Sequence, residues 1–94
     1  MIDVKQAVKK AMEYLHEMYD AADFKEVLLE EVELSEDDRY WNVIIGFSRR
    51  QVSTAEGPMA SLVGPSEQFK REFKVFGIDA ESGIVRSMKT KKSD

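Results

Sequence analysis

The sequence predicts an α+β domain in which one N-terminal helix packs on an antiparallel sheet of about four strands, in the order α-β-β-β-β. Three observations predict it. Apolar residues recur at three- and four-residue steps from Val4 to Ala22. Trp41, Val43, Ile45 and Phe47 alternate with period two, and Asp79-Ala80-Glu81-Ser82-Gly83 separates two apolar runs as a hairpin connection would. At 94 residues the chain has the size of one domain, taken as residues 1–94.

The helix is expected over residues 3–22. Val4, Val8, Ala11, Leu15, Met18, Tyr19 and Ala22 fall in one stripe, widened by Ala7 and Met12, while Gln6, Lys9, Lys10, Glu13, Glu17 and Asp20 occupy the opposite face. Asp3 with Gln6 three residues later reads as a capping box. In Phe24–Leu34 the Glu30-Glu31 pair interrupts the alternation. One extra residue, a β-bulge, would return Val32 and Leu34 to the face of Val27 and Leu29. Ser35-Glu36-Asp37-Asp38 is a polar turn. Tyr40–Phe47 is the central strand, its inward set being Trp41, Val43, Ile45 and Phe47.

Residues 53–68 contain Gly57-Pro58 and Gly64-Pro65, breakers that rule out one continuous element and predict a long loop. Phe69–Asp79 and Ile84–Met88 are the last two strands, joined at a turn where Gly83 suits a positive φ. The tail from Lys89 to Asp94 is expected to fray.

Composition narrows the function classes. The net charge is −4, unevenly spread: residues 1–48 carry 12 Asp/Glu against 5 Lys/Arg, and residues 49–94 carry 9 Lys/Arg against 6 Asp/Glu. The acidic first half argues against nucleic acid as a partner, since phosphate neutralisation needs several cations on one surface. The asymmetry suits head-to-tail contacts or a polarised partner surface. The absence of Cys removes disulfides, thiolate nucleophiles and cysteine metal sites. No segment approaches the roughly 20 apolar residues of a membrane span. Met1-Ile2-Asp3-Val4-Lys5-Gln6 lacks the basic start and apolar run of a signal peptide, so the expected location is cytoplasmic.

The run Phe73-Lys74-Val75-Phe76-Gly77-Ile78-Asp79-Ala80-Glu81-Ser82-Gly83-Ile84-Val85 resembles the closing hairpin of PepSY-like domains: an aromatic-led strand, Asp-Ala-x-Thr/Ser-Gly, and an apolar return strand. The resemblance covers residues 69–88, and more loosely the helix with Ala7 and Ala11; residues 41–68 depart from it. It implies a small non-catalytic domain, associated in that family with peptidase propeptides, inhibition or envelope proteins. The helix-then-sheet order is also similar to cystatin-like folds. Gln51-Val52-Ser53-Thr54-Ala55 is similar to the cystatin Gln-Val-x-x-Gly loop, with Ala55 in the Gly place and after the second rather than the first strand beyond the helix. That similarity implies a thiol-protease inhibitor.

The candidate chemical groups are sparse. His16, the one histidine, has Glu13, Glu17 and Asp20 nearby on a helix, a set that could hold a metal or a proton; a zinc site wants three or four converging ligands, so one His with surface carboxylates reads as a solvated helix face. Glu30, Glu31, Glu33, Glu36, Asp37 and Asp38 lack the spacing and terminal Glu of a calcium loop, and read as charges guarding an edge strand. Arg49, Arg50, Lys70, Arg71, Lys74 and Arg86 could line one sheet end, although alternation separates Arg49 from Arg50 and Lys70 from Arg71. No Ser lies in Gly-x-Ser-x-Gly and no Gly-rich run matches a phosphate loop. No enzyme and no cofactor are expected. If Trp41 and Val43 point inward, Tyr40 and Ile44 lie on the second sheet face, and Met59, Leu62 and Val63 are apolar residues of the long loop. These five form the expected interaction surface. The expected function is a non-enzymatic protein-interaction domain that pairs with itself through its sheet. The alternatives are a small-ligand binder or cofactorless enzyme with a helix–sheet cleft, and a protease inhibitor.

Overall fold

The computed structural model describes residues 1–53 and 66–91. Helix α1 spans Val4–Met18 and is followed by a 3-10 turn at Ala21–Asp23; the strands are β1 (Phe24–Leu34), β2 (Tyr40–Ser53), β3 (Ser66–Asp79) and β4 (Val85–Thr90). All pair antiparallel in the order β1-β2-β3-β4, and α1 crosses one face. This is the α+β arrangement that the periodicities predict.

The helix starts where its cap places it. The Asp3 carboxylate accepts from the Gln6 amide at 2.8 Å, and the Gln6 side-chain oxygen accepts from the Asp3 amide at 2.9 Å, so two otherwise orphaned donors are satisfied together. The helix ends four residues earlier than its stripe suggests. Tyr19 is extended, and the Asp20 carboxylate accepts from the Ala22 amide at 3.1 Å, starting a separate 3-10 turn. Leaving the helix lets the Tyr19 ring meet Phe24 at 6.4 Å and Phe47 at 5.7 Å. The buried stripe is correspondingly narrow: Ala7, Ala11 and Leu15 have no exposure, whereas Val4 and Met18 are exposed. Two alanines bring the helix axis close to the sheet, and Leu15 supplies the large knob. Full burial of such a side chain contributes about 1.5–3 kcal/mol.

The inner sheet face is a set of rows running across the strands. Val32, Val43, Phe76 and Met88 make one; Leu34, Trp41, Ile78 and Val85 make the next. Val43, Ile45, Phe47, Phe76 and Ile78 are fully buried. Trp41 is half-buried at the rim of this core, and its indole N–H donates to the Ile2 carbonyl at 3.2 Å. The four residues expected to receive the helix therefore do so. Lys74 is the exception to an apolar interior: it shares the face of Phe76, is buried, and its ammonium donates to Thr90 Oγ1 at 2.6 Å.

Strand β1 carries two irregularities. Leu29 opposes Ile45 and Glu31 opposes Ile44, so Glu30 is the extra residue that the broken alternation anticipates. A second shift lies between Lys25 and Leu28, where Glu26 adopts φ 56°. It turns Phe24 inward to join Phe47 and Tyr19.

The strands are longer than their apolar alternation. β2 continues to Ser53 and β3 begins at Ser66, so residues 66–68 expected in the loop are strand, and so are Gln51-Val52-Ser53. Lys89 and Thr90, expected in a frayed tail, are in β4, and the Lys91 amide donates to the Phe73 carbonyl at 2.8 Å.

The Asp79–Gly83 turn is closed by Gly83 N–H donating to the Asp79 carbonyl at 2.8 Å, with Gly83 at φ 75° as its sequence position predicts. Ile2 N–H donates to the Ala80 carbonyl and Ala80 N–H to the Arg39 carbonyl. The start of the helix is thus tied to the β3–β4 turn. Among the described residues no helix is long and apolar enough to cross a membrane.

Candidate interaction surface

The register that buries alternate residues under α1 fixes what the other sheet face presents. Glu31 pairs with Ile44, Ile44 with Val75 and Val75 with Lys89, giving one row across all four strands with an acid at one end, two aliphatics in the middle and a base at the other. Beside it, Leu28, Gly46 and Phe73 form a second row; on its other side run Glu33, Asn42, Gly77 and Ser87. Helix α1 lies against the opposite face, and among the described residues no second layer covers this one. Leu28 is 58% exposed, Tyr40 38% and Phe69 37%, while Ile44, Phe73 and Val75 are half-buried by their strand neighbours alone.

One end of this face is organised around Arg71. Its guanidinium donates to the Glu26 carbonyl at 2.6 Å and to Glu30 Oε1 at 3.3 Å, and lies 5.9 Å from the Phe73 ring centroid. Both bulges of β1 therefore present an oxygen to one cation, Glu26 its backbone carbonyl and Glu30 its carboxylate. Gly46 makes room for this group. A methyl added there would come within 2.8 Å of Glu30 Oε1, 2.9 Å of Phe73 Cε1 and 3.0 Å of Arg71 Nη2. The Ser48 hydroxyl donates to Glu26 Oε2 at 3.1 Å, and the Lys25 ammonium stands 4.0 Å over the Phe69 ring. The half with Ile44, Val75 and Tyr40 lacks such an overlay among the bonds of the described residues.

Tyr40 and Ile44 thus lie together on the uncovered face, where the alternation of β2 places them. Met59, Leu62 and Val63 lie outside the described residues. Leu28, Phe73 and Val75 belong to the same surface and were not singled out from sequence. The signal was present for Phe73 and Val75, since the parity that turns Phe76 and Ile78 inward turns these two outward. Leu28 depends on the bulge at Glu26, for which no local pattern exists.

The other candidate groups are dispersed. His16 Nδ1–H donates to the Met12 carbonyl at 2.8 Å, and its ring packs edge-on to Phe24 at 5.3 Å. Among the described residues no group of three or more His, Cys, Asp or Glu is placed to hold a metal ion. The cations divide between the two faces: Arg49 lies over Tyr19 at 4.9 Å and pairs with Glu72 at 3.6 Å, Arg71 pairs with Glu30, and Arg86 pairs with Asp79 at 3.8 Å. Such exposed pairs contribute about 0–1 kcal/mol each. Asp37 caps the β1–β2 turn, where the Ser35 hydroxyl, and then the Arg39 amide, hold its carboxyl below the usual range. Asp79 does the same at the β3–β4 turn through the amides of Ser82 and Glu81.

Among the described residues, two concavities adjoin the helix and the 3-10 turn. A groove of about 300 Å³ between α1 and β1 is lined by Val4, Lys5, Val8, Leu29 and Val32. A second, of about 340 Å³, lies among Tyr19, Asp23, Arg49 and Arg50 beside the 3-10 turn, with Arg50 4.0 Å from Asp23. The first offers almost no polar group to orient a ligand, and the second sets two arginines against acidic neighbours.

Comparison of the chain with protein-family models, curated proteins and solved structures returned no match.

Proposed function

We propose that this chain is a non-enzymatic protein-interaction domain that associates with itself through the uncovered face of its sheet. The observation that carries the reading is the central Ile44–Val75 pair, extended by Phe73 and Leu28, on a sheet whose other side is the one α1 crosses. An antiparallel sheet exposed to water on one face normally alternates to polar residues there. The C-terminal hairpin's likeness to PepSY-like domains favours the same class, a small domain that binds without catalysing. A cytoplasmic location belongs to the proposal and is tested by cell fractionation.

Strands of 11, 14, 14 and 6 residues at a spacing of about 4.8 Å and a rise of about 3.3 Å per residue make a face of roughly 700 Å², only part of it apolar, against the roughly 800 Å² each partner contributes to a standard interface. Dissociation is therefore expected in the micromolar range. Sedimentation equilibrium between low and high micromolar protein should show a reversible rise in mass for the natural chain and none for Ile44→Arg, with both folded by circular dichroism. A natural chain that stays monomeric throughout removes the proposal.

A second reading, a small-ligand binder, has the α1–β1 groove in its favour. An apolar ligand held there would raise the melting temperature of the natural chain and not of Val8→Arg; no shift with any member of an amphiphile panel removes it.

A further inference from the structure

Resting on the proposed self-association, the row Glu31–Ile44–Val75–Lys89 also states how the two copies are arranged. Sheets stacked face to face lie about 10 Å apart with their strands roughly aligned. Two copies facing through the same surface are related by a two-fold axis lying between the sheets. That axis runs either along the strands or across them. If it runs across the strands, β1 lies over β1 and β4 over β4: with the axis on this row, Glu31 meets Glu31 and Lys89 meets Lys89. If it runs along the strands, each row faces itself reversed. Glu31 then stands over Lys89 of the other copy, Ile44 over Val75 and Val75 over Ile44, and Glu33 lies towards Ser87 with Arg86 beside it. One arrangement sets like charges opposite one another at both rims; the other sets opposite charges at both rims around an aliphatic centre.

We infer that the partner of this face is a second copy of the chain, in an isologous sheet-on-sheet dimer whose two-fold axis parallels the strands and which pairs Glu31 of each copy with Lys89 of the other. Strand edges offer a rival route, because β1 is acidic and β4 basic, and an edge of β4 could extend β1 of the next copy. The ladders are broken where this would happen. β1 is bulged near Glu26 and again at Glu30, and β4 has an irregularity opposite Gly77 and Ile78. Bulged, charged edges resist strand addition. Edge pairing would also be heterologous and open-ended, giving a ladder of sizes rather than a dimer.

Charge reversal tests the axis. Glu31→Lys and Lys89→Glu should each weaken dimerisation about tenfold, because every single reversal converts two facing pairs to repulsion, and the double reversal should return the constant to within about threefold. The two singles move net charge in opposite directions from −4, so a general charge effect would strengthen one and weaken the other. Sedimentation equilibrium on the four full-length chains reads this directly, with urea unfolding confirming that each is folded. Ile44→Arg separates the two levels. If it leaves the mass unchanged, the uncovered face is not the interface and the reading beneath this one fails. If it gives monomer while neither single reversal weakens the dimer, or the double reversal does not restore it, self-association through the face stands and the axis assigned here is wrong. Species larger than a dimer in the natural chain would overturn the inference in favour of the strand edges.

Discussion

Val43 and Ile44 are neighbours in β2, yet they answer to different solvents. Val43 has no exposure and lies in a row with Val32, Phe76 and Met88 beneath α1; Ile44 is half-buried, in a row that ends in Glu31 and Lys89. The inner rows through Val43 and Trp41 are apolar from β1 to β4, the next carries Lys74 and Thr90 beyond Ile45, and the aromatic rings of Tyr19, Phe24 and Phe47 close that end. Of the outer rows, the one through Ile44 and Val75 keeps aliphatic groups at its centre and charges at its rims, and the neighbouring row adds Leu28 and Phe73. A strand that must only bury one side has no need of Ile44, Phe73 and Val75 on the other. On the proposed reading the outer face serves assembly, whereas the inner face serves folding.

The sharpest way to break the comparison is to empty one face. Phe76→Ala removes a fully buried ring that also meets Tyr14 edge-on at 6.2 Å, and should cost about 3–5 kcal/mol. Against a typical total of about 5–15 kcal/mol, that is a large part of the stability, and urea denaturation followed by circular dichroism should show a correspondingly lower midpoint. The adjacent pair gives the direct contrast. Val43→Ala should cost roughly 2 kcal/mol at every protein concentration. Ile44→Ala should cost less than about 1 kcal/mol in dilute solution, and its effect should grow with concentration if, as proposed, a dimer buries it fully. Equal, concentration-independent losses at both positions would mean that the two faces do not differ in role.

A smaller effect reaches the inner face through the helix that covers it. Asp3→Ala leaves the amide of Gln6 without its partner and should lower stability by about 1 kcal/mol. The loss should appear in unfolding midpoints and leave the dimer constant unchanged, since α1 lies on the opposite side of the sheet. A change in the dimer constant would implicate the helix face in association.

These contrasts depend on strand parity, and parity is what the sequence displays best. Trp41, Val43, Ile45 and Phe47 alternate cleanly, so the inward set and the outward Tyr40 and Ile44 are both legible. Glu30 is legible as a bulge because two glutamates in succession cannot both be accommodated by alternation. The bulge near Glu26 is not, because in Phe24-Lys25-Glu26-Val27-Leu28-Leu29 apolar residues stand on either parity and only the ring cluster with Tyr19 and Phe47 decides which turns in. The helix end is hidden for a related reason. Tyr19 continues the helical stripe in sequence, but its contacts lie across the sheet, and Asp20 offers the backbone a competing cap. The extensions of β2 to Ser53 and of β4 to Thr90 rest on backbone pairing, which leaves no mark in hydropathy. Within the surface, Tyr40 and Ile44 follow from their own strand, whereas the row Glu31–Ile44–Val75–Lys89 needs the register of three strand pairs and cannot be read from any one segment.

The smallest expected effect concerns a group that touches both faces. Asp79 lies on the uncovered side opposite Tyr40 and pairs with Arg86, yet its carboxylate accepts from the Glu81 and Ser82 amides in the turn that holds the inner rows of β3 and β4 together. Those amides, Ser82 first and then Glu81, hold its pKa below the ordinary carboxylate range. A folded-state pKa below the unfolded value means that the native chain holds the proton less tightly. The contribution is therefore complete above about pH 4 and is lost as the pH falls through the depressed value. Asp79→Asn keeps an oxygen that can accept both amides and removes the titration. Its melting temperature should be nearly independent of this group between pH 5 and pH 2, while the natural chain loses stability more steeply over the same interval. Parallel curves for the two chains would show that the turn does not draw on the ionised carboxylate; an altered dimer constant at neutral pH would show that Asp79 serves the outer face instead of the hinge between the two.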